Sequence, residues 1–419
     1  MNEQFDCANK KKKCIIVTTI HTPTKQVLHY SNLVGWDLII VGDSKTDDSS
    51  FQHLPCVYLG LEEQKAQFPT LYEKIPLRSY TRKMFGYLYA IKHQYTVIYD
   101  TDDDNQYTEH LDTFESNYVE CIKKEIPGQD LYVTNIDRYE TGILNSLLLQ
   151  HNAKSFTYDK RTKTVHLKND QSRPMEANES CISGIQRYVK TSSKEGFVNI
   201  YKCFTDGNIW PRGIPPNHPS IHEVVALSDT LPNLQCSIIQ GLVNNDPDVD
   251  AHYRIHINPY TYFFEKRQSF DVMLDKYSVC PFNTQNTFWL DPEIFYALYL
   301  PVSVTFRYTD ILRGFVALYQ AWKHNKTIKF TFPTAIQERN EHDLQKDYES
   351  EVPMYETAAH VIELLHEHKD ATLLDVYRVL AKHAIVKEYE LEVLEEWLSL
   401  VASFQTLSQD SKQSVPAHA

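Results

Sequence analysis

Four carboxylates fall within five positions at Asp100, Asp102, Asp103 and Asp104. Like charges packed this densely resist ionisation unless a cation sits among them. A hard divalent ion, Mg²⁺ or Mn²⁺, suits that role, because it takes carboxylate oxygens and keeps positions open for a substrate phosphate. The residues in front, Thr96-Val97-Ile98-Tyr99, read as a buried strand. In open α/β sheets, ligands bind just outside the carboxyl ends of strands, so an acidic cluster there marks a metal–diphosphate site. A solvated acidic turn is the plain alternative, and the strand and the density of carboxylates weigh against it.

Other residues could join that chemistry. A second strand over 36–41 ends in Gly42-Asp43-Ser44-Lys45-Thr46. In a parallel sheet, Thr18, Thr19, Asp43 and Lys45 would share the carboxyl edge with the acidic cluster. Asp43 would accept a hydrogen bond from a base or ribose, and Lys45 would meet a phosphate as a point charge; plain turn chemistry explains them equally well. Arg82 and Lys83 precede the acidic strand and could face the same cleft or solvent. Arg212 stands in a loop stiffened by Pro211, Gly213 and Pro215. The stretch from Gln240 to Asp250 reads as a second acidic loop, with Asp246, Asp248 and Asp250 available to an acceptor's hydroxyls. Asp310 lies at a helix start, where the dipole favours the ionised carboxylate. It could serve as a base, a metal contact or a helix-end charge. His342 is a candidate metal or phosphate ligand, with a structural role as the alternative.

These residues need a scaffold. Strands are predicted over 14–18, 36–41, 56–59 and 96–100, with a helix over 79–93 before the last; that alternation predicts a mostly parallel sheet with helices on its faces. Residues 24–30 read as a short helix and 131–135 as a strand. Residues 150–194 read as a polar insertion, a hairpin and loop. Thr309 is expected to cap a helix over 310–323, and a strand over 327–332 is expected to stop at Pro333. Beyond 345 the pattern turns helical (346–407), followed by a tail without apolar periodicity (408–419). The N-terminal arm (1–13) precedes a domain over 14–345.

The 419 residues suffice for a large core, and the net charge of −13 argues against binding nucleic acid or an anionic membrane. No apolar run reaches the roughly 18 residues of a membrane span. The eight cysteines form no C-x-x-C pair, as expected of reduced thiols. With no leader-like apolar segment in view, the expected location is cytoplasmic. The 27 tyrosines are consistent with an aromatic-rich binding surface or with compositional bias.

Together the motifs are similar to those of STELLO-type glycosyltransferases. The likeness runs in order from about 14 to 345. It includes Leu38-Ile39-Ile40-Val41-Gly42-Asp43-Ser44-Lys45-Thr46, Arg82-Lys83 with Gly86-Tyr87-Leu88, and Ile98-Tyr99-Asp100-Thr101-Asp102-Asp103-Asp104-Asn105. It continues through Ile209-Trp210-Pro211-Arg212-Gly213, Gln240-Gly241-Leu242 with Asp246-Pro247-Asp248-Val249-Asp250, Asn283-Thr284-Gln285-Asn286-Thr287, Arg307-Tyr308-Thr309-Asp310 and Gln337-Glu338-Arg339-Asn340-Glu341-His342. A fainter likeness reaches the reversibly glycosylated polypeptides, the UDP-arabinopyranose mutases. Both resemblances imply a GT-A-like nucleotide-diphosphosugar transferase fold, with Asp102, Asp103 and Asp104 holding Mn²⁺ or Mg²⁺ against the diphosphate. The second places Arg212 at the mutases' sugar-bearing arginine. STELLO proteins carry an N-terminal membrane anchor; none is expected for this chain, so their compartment and cellular role are not carried over.

The expected activity is therefore metal-dependent transfer of a sugar from a nucleotide sugar, UDP-sugar by default, to a hydroxyl acceptor: a glycan, a protein or a small molecule. Thr18, Asp43 and Lys45 would hold the nucleoside, Arg82 and Lys83 would assist the phosphates, and Asp310 would act as base. Alternatives are a mutase or autoglycosylating protein using Arg212, and a nucleotide-sugar-binding scaffold without turnover. An aspartyl phosphatase is disfavoured, since Asp104 occupies a place where that chemistry prefers Thr or Val.

Overall fold

Strand β1 (Lys13–Thr18) is an interior strand of the main sheet, and its side chains alternate between two cores. Cys14 and Ile16 face one core, while Ile15 and Val17 face the other. A strand buried on both faces is a continuous apolar run, which is why this segment is legible as central. The protein is described here from a computed structural model. It describes residues 11–108, 131–133, 155–159, 164–168, 187–189, 196–223, 225, 227–228, 234–257, 261–264, 271–339 and 343–413.

Thr24 caps α1 (Lys25–Tyr30) by accepting from the Val27 amide. The chain continues through β2 (Asp37–Val41), β3 (Val57–Leu59), α2 (Leu61–Gln67), α3 (Pro69–Lys74), α4 (Met84–Lys92), β4 (Val97–Thr101) and β5 (Asn105–Tyr107). Helix α4 lies against β1 and β2 without clearance: a Cβ on Gly86 would come within 2.7 Å of Ile16 and 2.9 Å of Val41. The expected helix over 79–93 starts instead as a 3-10 turn, Tyr80–Lys83, before α4 begins.

Strands β6 (Leu131–Val133), β7 (Ser155–Asp159) and β8 (Thr164–Lys168) form a separate antiparallel sheet, so the strand expected near 131 does not join the main one. The main sheet is completed by β9 (Arg187–Val189), β10 (Leu227–Ser228), β11 (Gln235–Asn244), β12 (Val272–Leu274), β13 (Asn286–Trp289) and β14 (Lys326–Gln337). Between them lie α5 (Ala251–His256) and α6 (Thr309–Lys323). The order is β10-β9-β12-β14-β11-β13-β4-β1-β2-β3, with β5 paired to the end of β14.

The expected mostly parallel sheet is half right. The run β4-β1-β2-β3 is parallel, but β13 is antiparallel to both β4 and β11, and β12 to β14. The molecule is thus a mixed α/β fold. Three other expectations change. Pro333 does not end its strand: β14 runs through it, and the register with β11 shifts between Gly241 and Val243, so no ladder hydrogen bond is required from the proline nitrogen. Residues 240–244 are strand rather than loop. Thr309 lies inside α6 rather than capping it, and its hydroxyl donates to the Pro301 carbonyl at 2.7 Å.

The C-terminal helices are α7 (Leu344–Glu367), α8 (Leu373–Lys382) and α9 (Glu390–Gln413). Helix α9 extends past the expected start of the tail at 408. Met354, Val361, Leu380, Leu394 and Trp397 share one buried core with Ile16 and Ile39 of the sheet. Many tyrosines are core residues with satisfied phenols rather than surface: Tyr30 donates to the Asn105 carbonyl and Tyr87 to Asp100. Among the described residues, no helix is long and apolar enough to cross a membrane.

Candidate active site

From β1 the chain moves outward to β2 and β3, then crosses back to place β4 on the other side of β1. The switch point therefore lies between β1 and β4, where the loops after these strands separate and leave a crevice. There the Thr19 hydroxyl donates to Asp103 Oδ2, and the Thr24 hydroxyl donates to the Asp103 carbonyl at 2.6 Å. A cavity of about 310 Å³ opens at this edge, lined by Thr18, Thr19, Asp43, Lys45, all three consecutive aspartates, Arg212, Asp248 and Asp310 among others.

A hydrogen-bonded wall ties the two ends of the cavity together. Asp43 accepts from the Ser44 amide at 2.6 Å and the Ser79 amide at 3.0 Å. Next to Ser79, Tyr80 donates to Asp102 at 2.7 Å, and its hydroxyl also meets that of Thr284. Asn283 then donates to Asp248 at 2.6 Å.

Beneath the floor lies a charge cluster in which Lys83, Asp100 and Arg313 have no exposure. Lys83 Nζ sits 2.7 Å from Asp100 and 3.3 Å from Asp102, and donates to the Thr101 carbonyl at 2.6 Å. Asp100 also accepts from Tyr87 and pairs with Arg313 of α6. Burial pushes Asp100 above the usual carboxylate range even so.

Each of the three neighbouring aspartates has a different setting. Asp102 has the most accessible side chain, at 28%. Asp103 is turned toward Thr19, and burial raises it. Both Asp104 oxygens accept from the Gln337 amide, and burial, then the charge of Asp102, pushes this group up to about 6. The three do not converge on a point: among the described residues, no group of three such donors forms a ready-made cage. Asp102 and Asp104 nevertheless both line the cavity with oxygen donors, which fits a hard cation that completes its coordination with water and substrate oxygens.

At the far end, Arg212 is clamped by two carboxylates. Its Nε and one terminal nitrogen donate to Asp248 at 2.8 and 3.0 Å; the terminal nitrogens donate to Asp310 at 2.9 and 3.1 Å, and one also to the Arg307 carbonyl. That set leaves no N–H of the guanidinium idle. Burial opposes its charge, but Asp248 and Asp310 together hold it well above the ordinary value. In return, and against burial, Arg212 holds Asp248 down to about 2. Gly213 adopts φ +110, a left-handed backbone that only glycine takes easily, and this turns the chain after Arg212.

Several expected site residues stand elsewhere. Arg82 does not line the cavity: it is fully buried behind it, donating to Gln64 and the Ile75 carbonyl. Lys83 lies under the floor. Asp246 pairs with Arg254 and Arg339, and Asp250 caps α5 while accepting from Trp210 at 2.7 Å, so neither faces the cavity. His342 lies outside the described residues. The sequence reading missed Arg78 and Tyr80, as well as Phe306, which is 58% exposed at the rim with its ring edge-on to Tyr80. It also missed Gln337, because that strand was expected to end before it. A loop arginine beside Pro76 carries no periodic signal; only the fold brings it to the cavity.

No family model matches the chain. Two curated proteins of Arabidopsis thaliana are similar to it. One, named probable glycosyltransferase STELLO1, is 23% identical over 406 residues, which cover 92% of this chain and 44% of that protein. The other, named probable glycosyltransferase STELLO2, is 23% identical over 405 residues, covering 93% of this chain and 44% of the relative. The resemblance to the STELLO-type family therefore runs through nearly all of this chain, while the chain spans less than half the length of these relatives.

Proposed function

We propose that this chain is a metal-dependent glycosyltransferase of GT-A-like fold that moves a sugar from a nucleotide-diphosphosugar, UDP-sugar by default, to a hydroxyl acceptor. The observation that carries this reading is the meeting of Thr18, Thr19, Asp43, Lys45 and Asp102 around one cavity at the β1/β4 switch point. The two similar proteins, both named as glycosyltransferases, support it.

Thr18, Asp43 and Lys45 hold the nucleoside end. Lys45 and Arg78, both exposed, meet the diphosphate as cations. Asp102 and Asp104 would hold Mn²⁺ or Mg²⁺, with Asp103 fixed in support by Thr19. The bound ion would supply Lewis-acid neutralisation of the leaving diphosphate. In the transfer, the acceptor oxygen bonds to the anomeric carbon as the bond from that carbon to the diphosphate oxygen breaks. The electron pair leaves with the nucleoside diphosphate, and the acceptor proton passes to a free lone pair of Asp310. A base on the face opposite the leaving group gives inversion. Asp248, held down to about 2, is too weakly basic for that role and serves to fix Arg212.

The mutase reading needs Arg212 as a neutral nucleophile, whereas the paired carboxylates keep it cationic and its N–H groups engaged. Mass spectrometry after incubation with a UDP-sugar separates the two, since only that alternative leaves a stable adduct on Arg212. The main reading is tested by thermal shift with a panel of nucleotide sugars, with and without Mn²⁺, on the parent and on Asp102→Ala/Asp104→Ala. Ligands that bind the native state raise its melting temperature. A metal-dependent shift in the parent alone is expected; equal shifts in both proteins would remove the metal role.

A further inference from the structure

We propose that Glu351, on the C-terminal helix α7, is a positioning residue that clamps the two segments forming the Arg212 end of the cavity. Its side chain is fully buried. One oxygen accepts from Arg307 Nε at 2.8 Å and pairs with an Arg307 terminal nitrogen at 2.8 Å. The other accepts from the Ala251 amide at 2.7 Å and from the Tyr355 hydroxyl. Ala251 directly follows the 246–250 loop that carries Asp248; Arg307 lines the cavity and gives its carbonyl to Arg212. One carboxylate thus joins the loop that supplies Asp248 to the segment that supplies Arg307 and Asp310.

Neighbouring contacts repeat the pattern. The Ser350 carbonyl accepts from the Thr305 hydroxyl at 2.5 Å, and its hydroxyl accepts from the Arg307 amide at 3.2 Å. Further along, Glu390, also without exposure, accepts from the amides of Val302 at 2.9 Å and Ser303 at 2.7 Å. Residues 302–307 contain no strand or α-helix, so their polar groups need side-chain or loop partners. The helical region supplies them. The C-terminal helices therefore act as a buttress that completes the cavity rather than as an accessory unit.

The clamp itself rests only on the geometry; its kinetic consequence rests on the transferase reading above. Hydrogen exchange by mass spectrometry on the full chain compares the parent with Glu351→Gln. Peptides covering 246–253 and 302–310 should exchange about tenfold faster, with peptides of β1, β2 and β4 unchanged. Parent-like exchange in those two peptides would overturn the proposal. Tyr355→Phe, which removes a single partner of Glu351, should give a smaller rise in the same two peptides; this keeps the test open if Glu351→Gln fails to fold, and no rise there also overturns it. In turnover of a UDP-sugar, Glu351→Gln should lower kcat by about tenfold with donor KM within about twofold, and Glu351→Asp should recover part of the loss. A rise in KM with kcat intact would mean that the residue does not position the reacting end. If the parent neither binds nor turns over any nucleotide sugar, the transferase reading fails, and the exchange data still decide the clamp.

Discussion

Gln337 donates its side-chain amide to both carboxylate oxygens of Asp104, at 3.1 and 3.0 Å. Asp104 is nonetheless raised from 3.8 to about 6, by burial first and Asp102 second. An acid raised by folding keeps its proton longer in the native state than in the unfolded chain, so stability falls as pH rises from about 4 through about 6. The two-unit rise corresponds to a penalty on the order of 3 kcal/mol at neutral pH. Asp104→Asn should therefore be more stable than the parent at pH 7, with the gap closing toward pH 4. Urea unfolding across that range checks it, and a mutant less stable than the parent at pH 7 contradicts it.

The Asp248–Arg212 pair has the opposite sign. Asp248 is depressed to about 2, so its contribution is present above its unfolded value near 4 and is lost as pH falls toward 2. Asp248→Asn should destabilise by about 3 kcal/mol at pH 7, because it leaves Arg212 short of a buried counter-charge. The difference from the parent should shrink as the medium is acidified below pH 4. A mutant with parent-like unfolding at neutral pH would show that Asp310 alone satisfies the guanidinium.

Arg78 holds φ +55 while exposed at the cavity rim. A left-handed backbone costs a side-chain-bearing residue about 1–2 kcal/mol. Arg78→Gly should leave the melting temperature unchanged or higher while weakening nucleotide-sugar binding by about tenfold, the scale of one charge-assisted hydrogen bond. The binding loss should diminish at high salt. Isothermal titration alongside thermal melting separates the two effects; parent-like affinity would remove Arg78 from the phosphate site.

Lys83→Met leaves Asp100 and Asp102 without their shared cation, and Asp100 is closed to water. Breaking a buried pair this way costs about 3–5 kcal/mol. Chemical unfolding should show that loss whether or not nucleotide is present. A mild effect would mean that Arg313 compensates Asp100 alone.

Much of this arrangement is written in short sequence patterns. The apolar runs of β1, β2 and β4 bury both faces, and their continuous hydrophobicity marks them as central strands. The acidic cluster is legible because it follows one of them. What escapes the sequence is long-range: β11 and β13 carry Gln240 and Asn286 at buried positions, so they look like polar connections until cross-strand partners satisfy them. Arg82 and Lys83 read as cations facing the cleft or solvent, because nothing local shows that Gln64 and Asp100 meet them inside. Pro333 looks terminal until the register shift beside it is seen.

Glu351 and Glu390 have a temporal consequence. During synthesis the sheet emerges before either glutamate, and chains acquire structure from the N-terminus onward. The nascent protein therefore passes through a stage in which every residue lining the cleft exists but the 302–307 wall lacks the partners that Ser350, Glu351 and Glu390 supply. Nonsense or frameshift lesions shortly before position 351 would remove no lining residue, yet would leave that stage permanent.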